Sequence, residues 1–460
     1  MDERSPGSHH QSAHRPHVVI VGGGFGGITA ARQLRHEDVD ITLIDRHTYN
    51  TFQPLLYQVA TASLNPGDIT WFLRALRTYQ SNVNFLKGTV VGMDHDAKTI
   101  SLDNGAHVEY DKLIISVGAT TNFFGVPGAA EHAHPLYRRS QALAVRDQMF
   151  THLEDAAING MERELRIIVV GGGATGVETA GAFAELRNID MPTTYPELDT
   201  SHTHITLVEM LPHVLAPFHP KLREYARKSL VKRDVDLRLN TAVKEVREDG
   251  VVVDRDGEQE FLQAGLVVWA SGITAHDVIK EWGVPQGKGG RIEVDEHFRV
   301  RGFEHVFAVG DVGVNPDDPL PQLAQPAIQG GKHAGKFIKA ELTGKTVKPF
   351  KYRDKGTMAT IGRSSAVAEI AYLPRMKGFV AWVIWVGLHI AMLLGNRNRF
   401  ATLINLSARY ITKGSHNAIV GEVPDPRTRH RVVVSRNGGE GSSDAQEASA
   451  HGSQSVNAEH

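Results

Sequence analysis

One short pattern, repeated, constrains this chain more than any other feature of its sequence. An apolar strand runs into Gly-x-Gly-x-x-Gly and then into a helix, first after residues 17–21 and again after residues 166–170. The glycines are Gly22, Gly24 and Gly27 in the first copy and Gly171, Gly173 and Gly176 in the second. The first glycine of such a motif permits a tight turn, the second lets the backbone approach a pyrophosphate, and the third lets the helix pack closely on the strand. Because the start of the helix presents free N–H groups to phosphates, each copy predicts a dinucleotide-binding unit.

Each copy also carries an acid at the end of its next strand. Asp45 follows the first motif by about twenty residues, the distance at which a carboxylate accepts hydrogen bonds from ribose hydroxyls. Glu209 follows the second motif at a longer distance, because residues 187–203 look like an insertion. This shared order of elements indicates an internal duplication. An acid at the second ribose favours a free 2′-hydroxyl, which predicts NADH rather than NADPH, and FAD in the first copy completes a productive pair.

Composition excludes several other classes of protein. The chain has 460 residues, enough for roughly two to four domains. Its net charge of -2 gives no basic excess for binding nucleic acid. The sequence contains no cysteine, which excludes disulfides, thiolate zinc sites, cysteine-ligated iron–sulfur clusters and dithiol relays. We expect no metal site.

A late Val309-Gly310-Asp311 extends the pattern. Together with both glycine motifs it resembles the flavoproteins that have two dinucleotide-binding domains. In that superfamily the late acid binds the ribityl chain of FAD, which implies this role for Asp311, although the residue also suits a helix cap or a turn. The absence of cysteine excludes the disulfide reductases and the sulfide–quinone reductases, since both need thiols.

Three stretches resemble one family in particular, the type II (alternative, non-proton-pumping) NADH–quinone oxidoreductases. They read QPLLYQVA at 53–60, GGGATGVE at 171–178 and AQPAIQG at 324–330, and the resemblance spans residues 17 to about 415. It implies that Gln325 and Gln329, which share a helix face, contact a quinone, and that Glu178 handles protons or charge near the nicotinamide. The residues themselves leave alternatives open, because both amides can bond to backbone and Glu178 can simply complement the helix dipole.

The predicted site residues follow from the motifs and from this resemblance. The catalytic set is Glu178, Gln325 and Gln329. The set for non-covalently bound FAD is Gly22, Gly24, Phe25, Gly26, Gly27, Asp45, Arg46, Gln53, Val90, Gly118, Asp311, Ala324 and Gln325. The set for NADH is Gly171, Gly173, Ala174, Thr175, Gly176, Glu178, Glu209, Ser271 and Gly272.

Residues 379–395 form an apolar segment that is too short to span a bilayer comfortably. Trp382 and Trp385 lie near one end, basic residues flank the segment, and apolar positions continue at helical spacing through about residue 413. Such a pattern is typical of a helix lying in the headgroup region, so 379–413 is predicted to contact the bilayer surface. A buried core or dimer-interface helix and a single spanning helix are the alternatives. We expect His389 to be a satisfied interface histidine.

The predicted fold is α/β, with two Rossmann-like dinucleotide-binding domains and a C-terminal membrane-associating helical region. The expected order is a disordered N-terminus at 1–16, an FAD domain at 17–164 and 291–345, an NADH domain at 165–290, a membrane-anchoring region at 346–420 and a disordered tail at 421–460.

The predicted activity is hydride transfer from NADH to FAD and transfer of two electrons on to a membrane quinone, menaquinone or ubiquinone, without proton pumping. The resemblance implies peripheral attachment to the cytosolic face of the inner membrane, and a homodimer is left open. The alternatives are a soluble NADH-dependent reductase of a ferredoxin-type protein and a non-catalytic nucleotide-sensing scaffold. The apolar segment and the Ala-Gln-x-Ala-x-Gln stretch argue against both.

Overall fold

The strands before both glycine motifs lie at the centres of two parallel sheets. The structure, a computed structural model, describes residues 15–159 and 164–412. In the first strand, Val18, Val19 and Ile20 are fully buried, because a parallel sheet is covered on both faces and its strands read as continuous apolar runs. The expected disordered tail at 421–460 and most of the expected disordered N-terminus lie outside the described residues.

The first sheet has the strand order β21-β9-β1-β2-β5, in which β21 is Val306–Ala308 and the ranges of the other four strands follow. The elements up to β9 are β1 (His17–Val21), α1 (Phe25–Gln33), β2 (Asp40–Asp45), β3 (Tyr49–Thr51), α2 (Leu56–Ala60), β4 (Thr70–Phe72), α3 (Leu76–Tyr79), β5 (Val83–Lys87), β6 (Val90–Asp94), β7 (Thr99–Leu102), β8 (His107–Glu109) and β9 (Lys112–Ile115). Strands β6, β7 and β8 form a separate antiparallel sheet.

The second sheet repeats this arrangement in the order β11-β18-β12-β13-β14, and β15, β16 and β17 form its antiparallel companion. The elements from β10 to β18 are β10 (Thr120–Thr121), α4 (Ala129–His132), β11 (His134–Pro135), α5 (Arg139–Asn159), β12 (Leu165–Val170), α6 (Ala174–Glu185), α7 (Met191–Thr194), β13 (Thr203–Val208), α8 (Pro220–Val231), β14 (Val235–Arg238), β15 (Ala242–Arg247), β16 (Gly250–Arg255), β17 (Glu258–Gln263) and β18 (Leu266–Trp269). Because β11 pairs with β18, the chain enters the second sheet before residue 165, the sequence-based boundary.

The third part returns to the first sheet and then adds the C-terminal elements. They are β19 (Ile273–Thr274), β20 (Ile292–Glu293), β21 (Val306–Ala308), β22 (Gly313–Val314), α9 (Ala324–Leu342), β23 (Gly356–Thr360), β24 (Ala366–Ile370), β25 (Met376–Gly378), α10 (Phe379–Met392) and α11 (Asn396–Thr412). Strand β21 pairs with β9, so sequence-distant segments build one sheet.

Helix α9 packs closely on α1 through glycine. A Cβ added at Gly331 would lie 2.2 Å from the Gly26 carbonyl oxygen. This close approach places the start of α9 against the first glycine motif.

The insertion at 187–203 folds as a π-helical turn, Leu186–Asp190, followed by α7, and β13 then pairs in parallel with β12.

Helix α10 is 14 residues long. Among the residues that the structure describes, no helix combines the length and the apolar character needed to cross a membrane. The buried side chains of α10, Ala381 and Trp385, belong to the same core cluster as the second sheet, whereas Phe379 and Val380 of the same helix are exposed. The C-terminal helices are therefore attached to the core on one side and leave apolar side chains uncovered on the other.

Candidate active site

The first glycine motif forms a cradle that is closed by Asp45. Its Oδ2 accepts the Gly23 N–H at 2.7 Å, and its Oδ1 accepts the His47 N–H at 2.7 Å. A Cβ at Gly27 would lie 2.0 Å from the Gly22 carbonyl oxygen, whereas a Cβ at Gly24 would meet nothing closer than 4.0 Å. The motif is thus tight where the helix meets the strand and open where a pyrophosphate would lie.

The second motif repeats this geometry with Glu209 in place of the aspartate. The Glu209 carboxylate accepts the Gly172 N–H at 2.5 Å and the Leu211 N–H at 2.7 Å. A Cβ at Gly176 would lie 1.7 Å from the Gly171 carbonyl oxygen, and a Cβ at Gly173 would meet no atom within 4 Å. The structure therefore brings Glu209 to the place that Asp45 occupies in the first cradle, despite the longer spacing in the sequence.

Asp311 lies at the end of the first sheet, where its side-chain carboxylate and its backbone carbonyl both accept hydrogen bonds. The Tyr137 hydroxyl donates to Asp311 Oδ2 at 3.1 Å. The Asp311 carbonyl accepts from Arg291 Nε at 3.0 Å and from Gln322 Nε2 at 3.1 Å. Burial raises the pKa of Asp311 above its ordinary value, while the Tyr137 hydrogen bond and the Arg291 charge oppose the rise.

Tyr137 was missed by sequence reasoning, since no motif surrounds it. Its hydroxyl accepts the Ala119 N–H at 3.3 Å, lies beside Gln53, and would be 3.4 Å from a Cβ at Gly118, a residue with φ +70°. It therefore gathers several predicted FAD residues around one polar atom.

Two arginines and a histidine lie beside the first cradle. Arg46 and Arg138 form no ion pair with any residue in the described ranges. Burial and the nearby Arg138 and Arg46 lower the pKa of His276 to about 4. Guanidinium groups in this situation are suited to binding phosphate oxygens. Arg138 and His276 were not predicted from the sequence, because only the fold places them beside Arg46.

The remaining predicted nucleotide residues lie in the elements that surround the two motifs or in the core beside them. Val90 is buried at the start of β6, and Phe25 and Gly26 begin α1. Ala174 and Thr175 begin α6. Ser271 lies against Gly171, since a Cβ at Gly171 would be 2.9 Å from the Ser271 Cβ, and Gly272 has φ +72°.

Glu178 on α6 is a buried carboxyl group. Its Oε1 accepts the Thr360 N–H of β23 at 3.2 Å. Burial raises the pKa of Glu178 to about 8, and the Thr360 hydrogen bond opposes the rise. The Trp385 indole also lies near this carboxyl group, but it does not form a hydrogen bond of good geometry. At neutral pH Glu178 is therefore mostly protonated, and it lies where the second cradle meets the C-terminal elements.

Gln325 and Gln329 begin α9 but have different surroundings. The Gln329 amide is bonded in both directions to the Arg353 backbone, donating at 2.9 Å and accepting at 3.1 Å. The Gln325 Oε1 atom is buried and has no hydrogen-bond partner among the described residues. A buried carbonyl oxygen without a partner is costly unless a ligand or water supplies the hydrogen bond.

Helix α10 closes the site from the other side. His389 stacks on Trp385 with ring centroids 3.9 Å apart, and its Nδ1 lies 2.7 Å from the Trp385 carbonyl oxygen. His389 also meets the Phe52 ring edge-on at 6.1 Å, and Phe52 meets Phe25 of the first motif at 5.8 Å. A chain of ring contacts thus joins α10 to the first cradle.

The Tyr57 hydroxyl connects α2 to the same region. It lies 3.0 Å from Thr360 Oγ1 and accepts from Gln58 Nε2 at 2.9 Å. The Tyr57 ring meets Trp385 at 6.2 Å. These contacts connect the 53–60 stretch, the Glu178 carboxyl group and α10.

Comparisons with known proteins agree with this geometry. A model of the pyridine nucleotide-disulphide oxidoreductase family matches residues 16–331, and a model of the NDH2 C-terminal domain matches residues 355–413. The type II NADH:quinone oxidoreductase Ndh of Mycobacterium tuberculosis is 36% identical over 435 residues, covering 91% of this chain and 93% of the relative. NdhA of the same organism is 38% identical over 406 residues, covering 85% of this chain and 86% of the relative.

A solved structure shows the same fold. NDH2 from Plasmodium falciparum in complex with NADH superposes with a TM-score of 0.80 at 21% identity, covering 87% of this chain and 99% of that chain. The fold and its two cradles define an oxidoreductase with two dinucleotide-binding units, and the C-terminal domain places it more narrowly. The chain belongs to the type II NADH:quinone oxidoreductase family. The family is FAD-dependent and its members are membrane-associated respiratory enzymes.

Proposed function

We propose that this chain oxidises NADH and reduces a membrane quinone, menaquinone or ubiquinone, with FAD held in the first cradle and NADH in the second. The observation that carries the proposal is the ring contact series from α10 through His389 and Phe52 to Phe25. This series joins α10, which has exposed apolar side chains, to the FAD cradle. An apolar substrate needs such a connection to reach the flavin, whereas a soluble protein acceptor does not.

The residues of the first cradle fit FAD. The open space before Gly24 and the carboxylate of Asp45 match a pyrophosphate and a ribose. The unpaired Arg46 and Arg138 supply positive charge, and Asp311 suits a ribityl hydroxyl. Bound FAD supplies a two-electron carrier that accepts hydride and passes electrons on. The polypeptide contributes positioning, charge and exclusion of water.

In the second cradle Glu209 selects the nucleotide. Its carboxylate is held by two backbone N–H groups, and its remaining lone pairs can accept from ribose hydroxyls. A 2′-phosphate would place like charges together in this position, so NADH is the proposed substrate rather than NADPH.

The quinone is proposed to lie between the start of α9 and α10. The Gln325 amide presents a polar group to a quinone carbonyl without placing a charge in an apolar site. Gln329 holds the Arg353 segment in place. The protonated Glu178 carboxyl group provides a proton near the nicotinamide end of the site. The exposed apolar side of α10 and α11 is proposed to rest on the cytosolic face of the inner membrane, and a homodimer remains compatible with it.

The proposal is tested by reoxidation of the NADH-reduced flavin under anaerobic conditions, with and without a soluble menaquinone analogue. Fast quinone-dependent return of the oxidised flavin spectrum is expected. Gln325→Leu is expected to raise the KM for quinone up to about 10-fold, the worth of one neutral hydrogen bond, and to leave reduction by NADH unchanged. Gln329→Leu is the matched variant, and its main effect should be on stability.

Prompt flavin reduction by NADH without acceleration by quinone would contradict the proposed acceptor and favour a protein acceptor. An unchanged quinone KM in Gln325→Leu would remove Gln325 from the quinone site while leaving the overall reaction in place.

A further inference from the structure

A groove separate from the proposed active site lies beside the turn between α10 and α11. Its empty space measures about 1060 Å³, part of which is open to solvent. The side chains that give it its character are Tyr49, Trp71, Phe72, Tyr79, Arg139 and Arg397. On β3, Asn50 donates to the Gly23 carbonyl at 2.8 Å. Because successive side chains of a strand point to opposite faces, Tyr49 points away from the FAD cradle.

The groove is cationic and aromatic. No acidic residue of the described ranges lines it, and neither Arg139 nor Arg397 forms an ion pair within those ranges. The Arg139 guanidinium lies over the Tyr49 ring at 5.6 Å from its centroid, which holds it at the wall of the groove. Planar guanidinium groups without a carboxylate partner suit the oxygens of a phosphate.

The mouth of the groove continues into the apolar side of α11. Arg397, Phe400 and Ile404 follow helical spacing and share one face, and the last two are 65% and 64% exposed. Phe72 and Tyr79, which also line the groove, are exposed as well. Aromatic side chains around basic groups are typical of the level of the lipid headgroups.

We propose that this groove binds the phosphate headgroup of an anionic phospholipid, whose acyl chains run along Phe400 and Ile404. The assignment rests on the proposed function, because only an enzyme attached to the bilayer meets such a lipid. The positive charge of the groove matches a phosphodiester, and the exposed apolar strip beside it matches acyl chains. The lipid thereby orients the α10–α11 turn at the membrane surface.

Sedimentation with vesicles tests this on the full-length, FAD-loaded protein. Vesicles of phosphatidylcholine alone are compared with vesicles that also contain phosphatidylglycerol. Arg139→Gln/Arg397→Gln is expected to lose affinity for the anionic vesicles roughly 5-fold for each arginine and to bind neutral vesicles as the wild type does. Lys232→Gln/Lys244→Gln removes the same charge from exposed side chains far along the chain, and it should bind both vesicles normally.

Equal wild-type binding to both vesicle types would overturn the proposal, and so would equal losses in the two double variants. Inorganic phosphate, added at constant ionic strength, should not displace the protein from anionic vesicles. Displacement would mean that the groove takes free phosphate rather than a lipid. NADH-driven reduction of a water-soluble quinone, measured without vesicles, reports on the proposed function independently, so its absence and a failure of vesicle binding are distinguishable.

Discussion

At the scale of single residues, the two cradles use different acids in one geometry. Asp45 and Glu209 each accept the N–H of the residue after the first motif glycine, Gly23 or Gly172, and the N–H two positions beyond themselves. The two acids stand at the same register, because Ile44 pairs with Val21 before the first motif and Val208 pairs with Val170 before the second. Both acids were predicted from the sequence, since the motif sets where a carboxylate must stand.

Glu178 is a residue whose environment only the tertiary structure reveals. Its folded-state pKa of about 8 lies above the ordinary value for glutamate, so between these two values the folded state binds more protons than the unfolded state. Stability therefore falls as pH rises through this window.

We expect Glu178→Gln to remove this part of the pH dependence. Relative to the variant, the wild type should lose on the order of 2 to 3 kcal/mol of unfolding free energy between pH 6 and pH 9. Urea unfolding of the FAD-loaded protein at both pH values measures the difference. Glu197→Gln, at an exposed position, is the control and should follow the wild type. Parallel pH profiles for the wild type and Glu178→Gln would show that Glu178 is ionised throughout.

At the scale of elements, the docking of α11 depends on a buried ion cluster. Arg409 lies 3.0 Å from Asp190 and 3.5 Å from Glu185, and all three side chains are largely buried. The acids belong to α6 and to the π-helical turn that follows it, so the cluster attaches α11 to the unit that carries the second cradle. One turn earlier on the same helix, the Asn405 amide donates to Asp68 Oδ2 at 2.7 Å.

We expect Arg409→Met to destabilise the protein by about 3 to 5 kcal/mol, because two buried carboxylates lose their cation. Differential scanning calorimetry measures this loss of unfolding free energy. Burial already raises the pKa of Glu185, so the loss of unfolding free energy should shrink at acidic pH as Glu185 protonates. The triple variant Arg409→Met/Glu185→Gln/Asp190→Asn should recover most of the stability. Full stability in Arg409→Met alone would mean that the cluster does not hold α11.

At the scale of the whole molecule, the first cradle and its surroundings are assembled from distant parts of the chain. Asp45, Tyr137, His276, Asp311 and Gln325 come from five different segments, and only the paired sheets bring them together. FAD binding and global folding are therefore linked by mass action.

Removing FAD should lower the unfolding free energy of the whole protein, by about 2.7 kcal/mol relative to FAD at 100 times its Kd. Calorimetry of the apo and reconstituted forms measures this. Riboflavin, which lacks the phosphates, should restore less stability, because it leaves Arg46 and Arg138 without partners. Identical unfolding midpoints with and without FAD would contradict the assignment of the cradle.

The sequence by itself determined the parts of this protein that follow from local rules. The glycine motifs require their turns, the apolar runs require burial, and the absence of cysteine restricts the chemistry, so the family and its fold were predicted and are confirmed. The tertiary structure decided what depends on contacts between distant segments. It placed Tyr137, Arg138 and His276 beside the first cradle and moved residues 134–135 into the second sheet. It also bonded the Gln329 amide to backbone and left the Gln325 Oε1 atom without a partner in the part of the chain that the structure describes. No periodicity or spacing encodes these contacts, because each arises where two sequence-distant elements meet.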